Sequence, residues 1–334
     1  MIKVLCLGST GKDIFFPTAE GKIIDTPEDL ESQKKIAFEL GAKVKVAERH
    51  ESLGGCAANA AVALTRLGVE SFCASSVGSD MIGNWAKEEL KNEGVGVDLM
   101  KISASGKSDL SAIVVDENSG ERTIFTNKNS DGSLDLDAEK VREADWFFVS
   151  DIYGKWEDEL ETIFELAKNE NKKVAFNPRE AGIREDAPEI IEAIGLCEIL
   201  FVNKDEAIEI VSNMHTDANP ENVNDEKYLL EKLKSLEVKI VALTDGMCGA
   251  WTTDGQNTFH APALVTKALD TTGAGDAFAS AFLAAYIKGK DIQECLRWGI
   301  VESANEVQFY GAINGLLKET EILEKVGDVK TERL

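Results

Sequence analysis

The residues best suited to chemistry stand together in Asp270-Thr271-Thr272-Gly273-Ala274-Gly275-Asp276-Ala277-Phe278, which runs straight into Ala279-Ser280-Ala281-Phe282-Leu283-Ala284-Ala285-Tyr286. Two glycines around an alanine, then helix formers with Phe278 and Phe282 four apart, predict a tight loop opening a buried helix. The first amides of such a helix lack partners within it and lie at its positive end. With no side chain on Gly273 or Gly275 to bar approach, the turn Gly273-Ala274-Gly275 can cradle a phosphate. Asp276 falls in the first turn, at the lip of that cradle. A carboxylate there can take the proton of a substrate hydroxyl while the amides hold the charge developing on a transferring phosphoryl group. A plain helix start with a glycine turn would read the same, so the rest of the chain has to decide.

Other stretches place ligand-type residues at element ends. Ile2 to Leu7 followed by Gly8-Ser9-Thr10-Gly11 reads as strand then loop, with the acceptor-only carboxylate of Asp13 just beyond, suited to polyol hydroxyls. Gly54-Gly55 precede the small-residue helix Cys56 to Leu64. They allow close backbone approach to a ligand, and Asn59 one turn later offers both a donor and an acceptor. Tight packing through alanines explains that helix equally well. The apolar run Trp146 to Ser150 reads as a buried strand delivering Asp151. The strand Glu198 to Val202 delivers Asn203-Lys204-Asp205-Glu206, an amide and a carboxylate on one helix face. Hard oxygens of that kind can hold Mg²⁺ directly or through its water, and a capping box is the rival reading. The strand Lys239 to Leu243 ends in Thr244, Gly246 and Gly249, room for a flat ring or a phosphate, or a plain turn into a hairpin of Trp251 and Phe259.

The elements that must position these residues alternate as strand, helix, strand through much of the chain, which predicts an α/β fold with a doubly wound sheet flanked by helices. Two segments break the rhythm. Residues 14–51, with Pro27, the acidic run Glu28-Asp29-Leu30-Glu31 and the alternating Lys43-Val44-Lys45-Val46, and residues 109–126, two strands joined by a hairpin turn, are read as a small β lid. Val77 to Gly83 is expected to be structural, with Asp80 capping a helix from Asn84 to about Asn92 and Gly83 allowing close packing. The whole of 1–334 is taken as one domain, with no internal repeat or low-complexity linker.

Composition narrows the partners. The 334 residues are 43% hydrophobic and 29% charged, with a formal net charge of −24, so nucleic acid and anionic membrane surfaces would be repelled. Six cysteines without a CxxC pair and three histidines argue against a zinc site or a disulfide framework, and free thiols point to a reducing cytoplasm. The apolar start Met1 to Gly8 is too short for a signal peptide, and no stretch is long and apolar enough to span a bilayer.

Taken together, Asp270 to Phe278 and Gly54 to Asn59 resemble the PfkB/ribokinase family of carbohydrate kinases over nearly the whole chain. That resemblance implies a ribokinase-like fold and ATP-dependent, Mg²⁺-assisted transfer to a free sugar hydroxyl, with a lid that covers the sugar and sometimes forms a homodimer interface. By the same resemblance Asp276 is the general base and Gly273, Ala274 and Gly275 form the anion hole. It also implies that Asp13, Gly55, Asn59 and, more loosely, Asp151 contact the sugar, that Asn203 and Glu206 serve magnesium and phosphate, that Thr244, Gly246 and Gly249 contact the nucleotide, and that a C-terminal helix around Trp298 to Phe309 helps cover the adenine. A monovalent-cation site is implied at Asp270 and the Thr272 backbone, near Tyr310-Gly311-Ala312. Gly315 stands where some ribokinases have a cation-binding serine, which counts against K⁺. Cys56 stands where many ribokinases and phosphofructokinases have Lys, which argues against an acceptor that already carries phosphate. Two other readings stay open: a nucleoside kinase, with Phe15, Phe16 or Phe38 against the base, and a silent sugar- or nucleotide-binding regulator.

Overall fold

The computed structural model describes residues 2–25, 34–118, 122–128, 133–214 and 222–334. Among them the main sheet has nine strands, in the spatial order Glu332–Arg333, Thr258–Ala261, Ala250–Thr253, Ile240–Thr244, Ile199–Asn203, Lys173–Phe176, Trp146–Val149, Lys3–Leu7, Glu70–Ala74. The six strands from Ile240–Thr244 to Glu70–Ala74 are parallel, and the remaining three add antiparallel. Chain order reverses between Lys3–Leu7 and Trp146–Val149. The carboxyl ends of these two strands therefore splay apart into a crevice, the usual ligand position of a doubly wound sheet.

The parallel strands are apolar on both faces because both are covered by helices. Val4, Cys6, Phe148 and Phe201 face one core, against the helices Cys56–Arg66, Ala274–Ile287 and Ile292–Glu306. Their neighbours Leu5, Leu7, Phe147 and Leu200 face the other, against Trp156–Asn169, Ala187–Gly195, Lys204–Asn213 and Glu226–Lys234. Period-two alternation thus divides each strand between two layers of helices.

A separate four-stranded sheet, ordered Arg122–Asn127, Asp109–Asp116, Gly11–Thr18, His50–Gly54, is built mostly from the two segments that break the helix–strand rhythm. Phe15, Ile113 and Val115 give it a small core of its own, with Tyr310 packed on it. Arg122–Asn127 pairs antiparallel with Asp109–Asp116, and residues 119–121 between them, like the acidic run Glu28 to Glu31 and Pro27, lie outside the described residues.

Three local expectations are corrected. Lys43-Val44-Lys45-Val46 is not a strand: Thr18 Oγ1 donates to the Lys45 carbonyl (3.3 Å) and Lys45 N to Glu20 Oε2 (3.1 Å), contacts that involve side chains rather than a ladder. Its alternation has no apolar face to bury, since both valines stay partly exposed. The helix expected from Asn84 starts at Met81, because the Asp80 side chain accepts from Gly83 N at 2.9 Å. The helix expected from Trp298 to Phe309 spans Ile292–Glu306, started by Asp291, which accepts from Glu294 N at 2.8 Å. The six cysteines are free thiols, and among the described residues no helix is long and apolar enough to cross a membrane.

Candidate active site

Two alanine-rich helices meet at their N-termini. Cys56–Arg66 and Ala274–Ile287 bury nearly all of their small residues, so their axes approach closely. The approach brings Asn59 Nδ2 within 2.8 Å of Asp276 Oδ2, across 217 residues of sequence. Close packing and site geometry, rival explanations of the Cys56 helix in the sequence, are one feature in the fold.

The two helix heads differ. At Cys56–Arg66 the amides are taken: Cys56 N donates to Ser9 Oγ (3.1 Å), and Ala57 N and Ala58 N reach the Ser9 carbonyl (3.2 and 3.4 Å). Gly55, at φ +96°, makes this possible; a Cβ there would lie 2.5 Å from the Ser9 carbonyl oxygen. At Ala274–Ile287 the amides of Gly273, Gly275 and Asp276 have no partner among the described residues, and Ala274 N makes only a long bond to the Thr271 carbonyl, 3.4 Å. Gly273 holds the turn in the left-handed region at φ +94°, pressed against Ala312. The anion cradle expected at Gly273-Ala274-Gly275 is therefore open at Gly273 and Gly275, gains Asp276 N, and is weakest at Ala274.

Asp276 is buried at the edge of a cavity of about 190 Å³ that it shares with Gly273, Gly275, Asn203, Glu206 and Thr244. Burial pushes its carboxyl up to about 6; the Asn59 amide and the Cys56 thiol pull it down, and Asp151 and Asp13 push it further up. Asp13 is itself raised to about 6 by burial against the pull of the Ser111 hydroxyl, and it sits where a Cβ on Gly54 would be, 2.1 Å from Asp13 Oδ2. Asp151 lies at the mouth of the crevice with Gly8, Ser9 and Asp109, close to Lys128 Nζ at 3.4 Å. Burial raises its carboxyl, and Lys128 and Arg179 lower it. Asn59 Oδ1 and Asp151 Oδ1 are buried acceptors with no partner, so a ligand rich in hydroxyl donors has waiting acceptors here.

Asn203 and Glu206 do form the capping box: Asn203 Oδ1 accepts from Glu206 N, and Glu206 Oε2 from Asn203 N, each at 2.8 Å. The box nonetheless faces the cavity, and burial pushes the Glu206 carboxyl up to about 7 although the Asn203 amide pulls it down. Thr244 and Gly275 also line an adjoining, mostly apolar cleft of about 240 Å³, walled by Gly246, Gly249, Phe278 and Ala304. Asp270 lines neither cavity. Its two oxygens accept from Thr272 N (3.0 Å) and Gly311 N (3.1 Å), tying the turn to the loop after the last long helix.

Four further residues enter the site that sequence reasoning did not single out. Asn177 lines the cavity beside Asp276 and donates to the Phe201 carbonyl at 3.0 Å; its signal is its place at the end of the Lys173–Phe176 strand. Glu306 is fully buried behind Gly273, and burial with Asp270 and Asp276 nearby pushes it up to about 10. Arg122 and Lys128 come from the small sheet and its exit, where nothing in the local pattern marks them.

The pfkB family carbohydrate kinase model matches residues 27–319. The chain belongs to the PfkB family of carbohydrate kinases. It is accordingly a phosphotransferase with a hydroxyl acceptor. An uncharacterized sugar kinase of Archaeoglobus fulgidus is 30% identical over 257 residues, 76% of this chain and 97% of that protein. A ribokinase of Schizosaccharomyces pombe is 28% identical over 95% of both chains. Among solved structures, the nucleoside kinase of Methanocaldococcus jannaschii, an archaeal member of the ribokinase family, superposes with a TM-score of 0.74 at 22% identity, covering 98% of this chain and 99% of that one. The PfkB fold is thus a ribokinase-like α/β sandwich carrying a small sheet, as the motifs imply.

Proposed function

We propose that this PfkB-family chain transfers the γ-phosphoryl group of ATP to a hydroxyl of a free sugar, with Asp276 as general base. One observation carries the reading: a buried carboxyl raised to about 6 stands on the same helix turn as three unpartnered amides, those of Gly273, Gly275 and Asp276. A base of that strength is largely ionised near neutral pH yet still takes a proton as the hydroxyl attacks. The amides then hold the charge on the phosphoryl oxygens.

The adenine of ATP fits the apolar cleft between Gly246, Gly249 and Ala304, and its phosphates then extend past Thr244 toward Gly275. Mg²⁺, when bound, would neutralise phosphate charge. Glu206 suits it or its water shell, because one carboxyl oxygen is held by Asn203 N and the residue faces the cavity. Asp13, Asn59 and Asp151 orient the acceptor, the unpartnered Asn59 Oδ1 and Asp151 Oδ1 matching the donors of a polyol. For a nucleoside acceptor the support is weaker at Phe15, which is fully buried under Tyr310 and offers no face to a base.

The test is ADP release from Mg·ATP with a panel of free sugars, sugar phosphates and nucleosides. The reading predicts turnover with a free sugar. Turnover with nucleosides alone would contradict the acceptor, and ligand binding with no ADP from any acceptor would contradict the activity.

A further inference from the structure

Arg122 begins the edge strand of the small sheet, in register with Val115 of the sheet's own core. Its side chain leaves the sheet and reaches the expected anion turn, 149 residues away: Nη1 donates to Thr271 Oγ1. Nε is buried without a hydrogen-bond partner, 4.0 Å from Asp270 Oδ1. Asp270 is the carboxylate that shapes the turn through Thr272 N and Gly311 N, and its side chain is fully buried. Thr271 in turn lines the nucleotide-side cleft with Ala274 and Gly275. One guanidinium therefore bonds Thr271 and lies within ion-pair reach of Asp270, the two residues that open the turn.

The same face of the small sheet is seated on the other end of that tie. His50 stacks on Tyr310 with ring centroids 4.5 Å apart, and a Cβ on Gly311 would lie 2.4 Å from Ser52 Cβ. Sheet, turn and C-terminal loop are thus fastened at two places, with Asp270 in between. Charge points the same way. Carboxyls of Asp270, Asp276, Glu206 and Glu306 surround a turn that has to accept phosphate, and among the described residues Arg122 is the cation in ion-pair reach of Asp270. Exposed ion pairs contribute little, but this one has a buried partner, and the same guanidinium donates to a neighbouring hydroxyl.

We propose that Arg122 is a positioning residue for phosphoryl transfer, a guanidinium carried by the small sheet that sets the Asp270–Thr272 limb of the anion turn when the sheet is seated. Seating of the sheet over the acceptor and assembly of the phosphate cradle become one event, which restrains transfer to water while the acceptor site is open. Arg122 does this through the turn, without touching the reacting atoms.

The inference rests on the kinase reading, so wild type, Arg122→Ala and Arg122→Lys are measured side by side with the acceptor that gives most ADP. The cost of a misplaced turn predicts a fall in kcat of about 10- to 100-fold in Arg122→Ala, with KM for ATP within about threefold of wild type. Free guanidinium at non-denaturing concentration should restore part of kcat in Arg122→Ala and leave wild type unchanged, whereas Arg122→Lys should regain little, lacking the fork that reaches two residues. A mere structural role would lower the melting temperature with no guanidinium rescue. Wild-type kcat in Arg122→Ala, or a loss that guanidinium leaves untouched, would overturn the inference; absence of turnover in wild type would instead overturn the kinase reading.

Discussion

Asp276 draws its behaviour from three neighbours of different kinds. Burial and the carboxyls of Asp151 and Asp13 favour its protonated form, while the amide of Asn59, 2.8 Å away, favours the carboxylate. If it is the base, kcat rises with pH along a limb near 6, above the ordinary carboxylate range. Asn59→Leu removes the donor, so the limb should move to higher pH, and a rate–pH profile reads the shift. A limb at the same pH in both enzymes would separate Asn59 from the base. Asp276, Asn59 and Glu206 were legible in the sequence because each sits at a helix start whose spacing has few physical uses. Arg122 and Asn177 were not, since an arginine opening an exposed strand and an asparagine in a loop look the same whether they point to solvent or to a site.

At the level of elements, the turn before Ala274–Ile287 depends on a glycine in a conformation other residues avoid. Gly273 sits at φ +94°, and a Cβ there would meet Ala312 Cβ at 2.3 Å. Gly273→Ala should cost about 1–3 kcal/mol of strain and displace the cradle. Thermal unfolding with steady-state kinetics checks this, and the account predicts a larger loss in kcat than in stability. An unchanged kcat would show that the turn's shape is not used. Periodicity revealed the helices and buried strands well, because the 2.0 and 3.6 repeats record which face meets a core. It misread Lys43 to Val46, where alternation occurs with no core to face, and it placed one helix start late, at Asn84, because apolar spacing weakens before a cap does; the resemblance, for its part, put the last long helix at Trp298 rather than Ile292. The capping aspartates Asp80 and Asp291 were the stronger signals.

Across the whole molecule, the reversal of strand order beside Lys3–Leu7 puts the carboxyls proposed to orient the acceptor at one crevice, and the two alanine-rich helices bring the C-terminal motif to it. No local pattern encodes that meeting; only the βαβ rhythm implies it. The fold also buries acid that the proposed transfer does not use. Burial pushes Glu302 up to about 8, partly offset by the Leu317 amide, and Glu306 up to about 10, with both Glu306 oxygens unpartnered. A carboxyl whose folded value lies above its unfolded one stabilises the fold at low pH and loses that contribution as pH rises through the folded value. The melting temperature should therefore fall from about pH 5 to pH 10, with both carboxyls contributing up to about pH 8 and Glu306 alone above it, and Glu306→Gln should flatten the part above about pH 8. Parallel curves for the two proteins would place the Glu306 proton elsewhere.

The central claim is that Asp276 takes the acceptor's proton beside the open amides, and single-turnover phosphoryl transfer by Asp276→Asn tests it most directly. With the best acceptor and saturating Mg·ATP, the account predicts a rate lower by roughly 10²–10⁴-fold, with ATP affinity retained. Transfer at close to the wild-type rate would contradict it.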